Sequence, residues 1–168
     1  MDKTTQTRTN DFTIRFAQEK DVGLIFDMIK ELAEYEKLLN ILEATEETLR
    51  ESLFKSGVVE TLIGEYKQKP VGYAIFFHNF SSFAGRLGIF IEDLYVKPDM
   101  RGKGFGEALI SFIAKLAVER KCARLEWMCL DWNKPSIAFY KRMGAASMDE
   151  WTMFRLTGKT LAKAARQF

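Results

Sequence analysis

"RLGIFIEDLYVKPDMRGKGFGEALISFIAKLAVERK", residues 86–121, joins an apolar run to a helix-patterned run through three glycines, and its reading decides the fold. "RLGIFIEDLYV" has strand character, while "FGEALISFIAKLAVERK" sets Leu109, Phe112, Ile113 and Leu116 on one helical face. Between them Gly102, Gly104 and Gly106 alternate with Lys103 and Phe105, directly after Arg101. A strand, a glycine-rich turn with two cations and a helix N-terminus form a recurrent anion grip, because the first-turn amides are free donors and the helix dipole favours negative charge there. A tight strand-to-helix connection alone also explains the glycines. In this loop Gly102-Lys103 is followed by Gly104 and not by the Ser or Thr that a magnesium-binding phosphate loop requires. The two-residue glycine spacing, with no evident acidic ribose-binding position about 20 residues on, likewise disfavours a dinucleotide fingerprint.

Outward from this segment, helices and strands alternate. "FTIRFA" reads as a strand, and the next stretch carries Val22, Ile25, Phe26, Ile29, Leu32 and Ala33 at helical spacing. "ATEETLRESLF" opens on Thr45 as a helix cap, and "VETLIGEYKQKPVGYAIFFHNF" reads as two strands around a turn at "KQKP". Downstream, "ARLEWMCL" is strand-like, "KPSIAFYKRMG" is a short helix starting at Pro135 and stopped by Gly144, "WTMFRL" is a last strand, and "GKTLAKAARQF" is helix-prone. Residues 1–11 read as a flexible leader ahead of a single domain over 12–168. The pattern predicts a mixed α/β domain with its central sheet covered on both sides.

A chain of 168 residues suffices for one substantial core. Its net charge of +2, with acids and bases intermixed, gives no footprint for a nucleic-acid backbone. Cys122, Cys129 and the lone His78 lack metal-site spacing, and no apolar run reaches membrane-spanning length, so a reduced cytoplasmic location is expected.

"VKPDMRGKGFGEALI" resembles the acetyl-CoA loop of the GNAT acetyltransferases, with Arg101, Gly104 and Gly106 at its signature positions. "DWNKPSIAFYKRMGA" resembles the second signature of that superfamily, through Asn133, Ser136, Tyr140 and Gly144. Together with "IRFAQEKDVGLIFDMIKELAEYEKL", these segments are similar to the spermidine/spermine (diamine) and thialysine acetyltransferase branch over most of residues 12–156. The loops "NFSSFAGRLG" and "AASMDEWTMF" depart from that pattern.

The resemblance implies an α/β (α+β) acyl-CoA N-acyltransferase fold, with a central mixed, mostly antiparallel sheet flanked by helices. It implies acetyl-CoA as acyl donor. Backbone groups of Arg101, Gly102, Lys103, Gly104, Phe105, Gly106 and Glu107 are expected at the pyrophosphate, Leu94, Tyr95 and Val96 along the pantetheine arm beside a bulge near Glu92 and Asp93, and Asn133, Lys134, Pro135 and Ser136 as a further wall. An aliphatic amine, with a pKa of about 10.4, must lose a proton before it attacks. Glu92 is the candidate base, Tyr140 matches the family's general acid, and direct attack in a ternary complex is implied. Glu92 and Asp93 alternate on their strand, so at least one is expected to be partly buried.

Tyr35 and Glu36 match positions that approach substrate in the diamine branch. Glu92, Asp93, Glu126, Trp127, Met128, Asp149 and Glu150 extend a candidate groove for a small polycationic amine. Acetylation of a peptide, protein or antibiotic amine remains an alternative, as does a non-catalytic acyl-CoA sensor. The branch also implies a homodimer, with the C-terminal segment a candidate for exchange between protomers.

Overall fold

The computed structural model describes residues 4–168, and two compact units divide them after Trp132. The first unit is built on a six-stranded sheet in the order β1 (Thr5–Gln6), β2 (Phe12–Phe16), β3 (Val59–Tyr66), β4 (Lys69–Ser81), β5 (Arg86–Val96) and β6 (Leu125–Trp127). Neighbours pair antiparallel except β5 and β6, which run parallel and therefore need a crossover, supplied by α3 (Phe105–Glu119). Helix α1 (Val22–Glu36) and the short α2 (Glu46–Arg50), which continues as a π-helical turn over Glu51–Lys55, complete this unit.

Strand alternation decides which helix covers which face. Ile63, Tyr73, Ile75 and Tyr95 pack with Ile25 and Met28 of α1. The opposite face is held by Phe12, whose ring stacks on Phe105 at 4.3 Å, and by Phe16 edge-on to Phe112 of α3. The α1 stripe fits the sequence reading, with Val22, Ile25 and Ala33 buried, and Met28 joins them from within it. Thr45 caps α2 through a reciprocal bond pair with Thr48.

The hairpin between β3 and β4 turns on Lys67 and Gln68, both at positive φ (48° and 64°), and Pro70 lies inside β4 opposite Glu65. Residues 1–3 of the expected leader lie outside the described residues. Within it, Thr5 and Gln6 pair with Ile14 and Thr13 because Thr7 turns the chain back, its hydroxyl donating to the Phe12 carbonyl at 2.8 Å.

The second unit, Asn133–Phe168, holds α4 (Lys134–Arg142) and α5 (Gly158–Ala165). Asn133 caps α4, accepting from the Ser136 amide, and Gly144 at φ 89° follows its end. The strand expected at "WTMFRL" is absent: residues 151–157 form no regular element, and Trp151 and Phe154 stand 70% and 89% exposed. A strand needs a neighbour to hold its backbone groups, and this segment pairs with none among the described residues.

Candidate active site

The bulge inside β5 and the loop that follows this strand carry the candidate site within the first unit. At the far end of β5 the chain passes through a 3-10 turn (Pro98–Met100) into the glycines and α3. Gly102 and Gly104 sit at φ 76° and 83°, a region that side chains other than glycine's rarely adopt. Gly104 is the N-cap of the 15-residue α3, and the first in-helix bond runs from the Ala108 amide to the Gly104 carbonyl. The amides of Phe105, Gly106 and Glu107 are thereby left as outward donors at the positive pole of the helix dipole. Open space surrounds Gly102, so conformation rather than crowding demands glycine there. This donor set fits the pyrophosphate of CoA. Arg101 does more than add charge, because its Nε donates to the Val96 carbonyl at 2.9 Å and its guanidinium lies 4.4 Å from the Tyr35 ring centre.

Within β5 the ladder to β4 slips: Ile75 pairs with Asp93 and Phe76 with Ile91, leaving Glu92 as the extra residue of a bulge. The pairing of β5 with β6 stops at the same point, at Ile91 opposite Trp127. Beyond it Leu94, Tyr95 and Val96 keep β4 on one side, and no described strand continues on the other.

The bulge separates the two carboxylates. Glu92 is exposed. Asp93 faces the α1 side of the sheet, where Tyr73, 0% exposed, donates its hydroxyl to Oδ2 at 3.1 Å. Burial pushes the Asp93 carboxyl up to about 6; the Tyr73 hydrogen bond opposes this, while the charges of Glu92 and Glu36 add to it. Glu36, at the C-terminal end of α1, is also raised by burial. Cys129, just past β6, is raised by burial and then by the charges of Glu36 and Asp131. Helix α1 therefore points its negative pole and Glu36 toward the same region as Asp93.

Tyr35, one residue earlier, packs against Trp132 with ring centres 6.0 Å apart, and the Trp132 ring also faces the Lys37 ammonium at 5.7 Å. On its other side, a cleft of about 440 Å³ is lined by Glu31, Glu34, Tyr35, Tyr95, Lys97, Pro98 and Asp99. Glu31 is spent there, accepting from Tyr95 at 2.9 Å and from Lys97 at 2.7 Å.

The remaining sequence candidates divide. Glu126 is already held, by Asn79 at 2.7 Å and by Arg124 at 2.8 Å, so its charge is largely spent inside the protein. Trp127 closes the β5–β6 ladder and Met128 is half-exposed beyond it. In the second unit, Asn133 and Ser136 form the α4 cap, with Lys134 and Pro135 in the first turn. Tyr140 is half-buried on α4, its ring 5.2 Å from that of Phe139. Asp149 is exposed and accepts from Ser147 at 3.1 Å.

Sequence reading missed Tyr73, Trp132 and Cys129. Tyr73 had a signal, since strict alternation along "VGYAIFF" puts it on the face of Ile75, though only the bulge register brings Asp93 to it.

Residues 26–145 match the Acetyltransferase (GNAT) family model. The chain is 37% identical to bovine (Bos taurus) thialysine N-epsilon-acetyltransferase, covering 90% of this chain and 96% of that protein. It is 30% identical to an L-ornithine N5-acetyltransferase of Arabidopsis thaliana, over 88% and 85% of the two chains. Among solved structures, an integron cassette protein from the mobile metagenome of V. cholerae superposes with a TM-score of 0.77 at 26% identity, over 93% of this chain and 98% of that one. None of the described helices is long and apolar enough to cross a membrane. The chain belongs to the GNAT acetyltransferase family and is an enzyme that moves an acetyl group from acetyl-CoA to an amine.

Proposed function

We propose that the acceptor is a primary amine of a small polycationic molecule, a diamine, polyamine or thialysine-like amino acid, and that it attacks directly without a covalent enzyme intermediate. The observation that carries this reading is the half-buried Asp93 beside Glu36, with Tyr35 and Trp132 adjacent, at the negative end of α1. A second ammonium is attracted there by charge and by aromatic faces. The activities of the thialysine and ornithine acetyltransferase relatives, each on an amine of a cationic amino acid, agree with it.

Bound acetyl-CoA supplies the acetyl group as an activated thioester. In this reading the amides of residues 101–107 and the side chains of Arg101 and Lys103 hold its pyrophosphate, the backbone of Leu94 to Val96 lies along the pantetheine, and Asn133 to Ser136 close the wall. The bulge carboxylates take the ammonium proton. Glu92 is the more accessible of the two, but Asp93, with its carboxyl near 6, is better matched to accepting a proton near neutral pH. Tyr140 gives a proton to the departing sulfur. The carbonyl carbon exchanges its bond to sulfur for one to nitrogen; the ammonium loses one proton to the carboxylate before attack and a second as the amide forms, and this second proton makes good the one that Tyr140 gave to the thiolate.

The protein acts as a homodimer in this reading, and "WTMFRL" becomes a strand when it meets a partner, which accounts for the exposed Trp151, Met153, Phe154 and Leu156. A cytoplasmic setting agrees with two unpaired cysteines. The deciding experiment measures free-thiol release from acetyl-CoA with putrescine, spermidine, spermine, lysine, thialysine, ornithine and an aminoglycoside. Fast turnover of one linear di- or polycation is expected. Preference for the aminoglycoside, or binding of acetyl-CoA without turnover on any of them, would overturn it.

A further inference from the structure

Among the described residues the Tyr73 hydroxyl has a single acceptor, and that acceptor is the one carboxyl of the site that burial has moved furthest. The ring is locked: Tyr73 is fully buried, pairs with Tyr95 across the β4–β5 ladder with ring centres 6.1 Å apart, and packs with Ile25, Met28, Ile63 and Ile75. A phenol fixed in such a core cannot swing to another partner. The bulge at Glu92 is what carries Asp93 into its reach, since without the extra residue alternation would send the carboxylate to the other face.

We infer that Tyr73 is a positioning residue of the amine site, which orients the Asp93 carboxylate and keeps it ionised for the incoming ammonium. The inference rests on the reading that Asp93 serves the amine. Three groups act on Asp93: Glu92 on its own strand and Glu36 from α1, which both favour its protonated form, and Tyr73 from β4, which favours the carboxylate. Glu36 in turn faces Cys129, and Tyr95 faces Tyr73. Only the phenol opposes the pull of burial and of the two acids. Burial, with the charge of Asp93, raises the Tyr73 phenol well above its ordinary range, so it remains a donor across the working pH of the enzyme.

The test is Tyr73→Phe, which keeps the ring and removes the donor. Losing one hydrogen bond to a charged group should move the titration of Asp93 up by about one pH unit. That is read directly as the carboxyl carbon shift in selectively labelled protein. The acid limb of kcat/KM for the amine should move up by the same amount, activity should return towards wild type at high pH, and KM for acetyl-CoA should stay put. An Asp93 titration unchanged by the substitution overturns the role of Tyr73. A uniform loss of rate at every pH with a lowered Tm overturns it as well, since that is what a purely structural tyrosine gives. A titration that moves while the rate profile does not leaves Tyr73 acting on Asp93 and refutes instead the use of Asp93 by the amine. Should the Phe variant fail to fold, replacing tyrosine by 3-fluorotyrosine makes the phenol a stronger donor. The Asp93 titration should then fall, and no movement would refute the inference.

Discussion

The glycine loop after β5 and the bulge within that strand solve opposite problems by opposite means in the proposed reading. At the loop an anion meets backbone donors that are consecutive in sequence, from Arg101 to Glu107, with left-handed backbone at Gly102 and Gly104. At the bulge, the proposed cation site gathers side chains from four segments: Glu36 from α1, Tyr73 from β4, Asp93 from β5, and Trp132 after β6. An anion grip can be local because each peptide unit already carries a donor. A cation site needs carboxylates, and holding them half-buried needs a fold around them.

If the bulge end does the proton chemistry, Asp93→Asn is the largest break. A lost general base costs about 100- to 10,000-fold in rate, so kcat/KM should fall in that range while acetyl-CoA binding is kept. Glu92→Gln separates the neighbours: a comparable loss there, with Asp93→Asn near wild type, would move the base to the exposed residue. The same Asp93 variant should be more stable at neutral pH. Folded Asp93 holds its proton up to about pH 6, against about 3.9 for an unfolded aspartate, so the native state binds more protons between those values and stability falls as pH rises through them. Ionised Asp93 then costs roughly 2–3 kcal/mol at pH 7. Urea unfolding at pH 4 and pH 7 should show this slope in wild type and its loss in Asp93→Asn; parallel slopes would mean that Asp93 titrates normally.

The anion end should break more gently and differently. Gly104→Ala forces a side chain to φ 83°, a strain of about 1–3 kcal/mol, so KM for acetyl-CoA should rise by roughly 5- to 150-fold with the amine pH profile unchanged. An altered pH profile instead would mean that the two ends are not separable, with Arg101, stacked on Tyr35, as the obvious connection.

This contrast also sets how far the sequence could be read. The glycine loop, the strand before it and the helix after it are local patterns, and each was legible, whereas a bulge near Glu92 and Asp93 was expected only from the family resemblance. Which of the two carboxylates turns inward depends on which one the bulge leaves as its extra residue. That choice rests on the pairing of Ile75 with Asp93, a contact between distant segments. The same limit explains Glu126, which reads as a free acid in "ARLEWMCL" until Asn79, 47 residues earlier, is brought against it. The leader misled for a related reason: two residues suffice for β1 once the open edge of β2 is there to receive them.

Glu126 therefore gives the smallest effect and the sharpest limit on the cation end. Its carboxylate already accepts from Asn79 and Arg124, so it has little charge left for a substrate ammonium. Glu126→Gln keeps an acceptor for both donors and removes only the charge of a partly exposed pair, which is worth about 0–1 kcal/mol. KM for a diamine should then change by no more than about fivefold, the most that 1 kcal/mol allows, and kcat should hold. A tenfold or larger rise in KM confined to the longer polyamines would mean that the cation site runs from α1 across the sheet to β6. Arg124 would then have to release Glu126 when substrate arrives, and the Arg124→Gln variant should bind those polyamines more tightly than wild type.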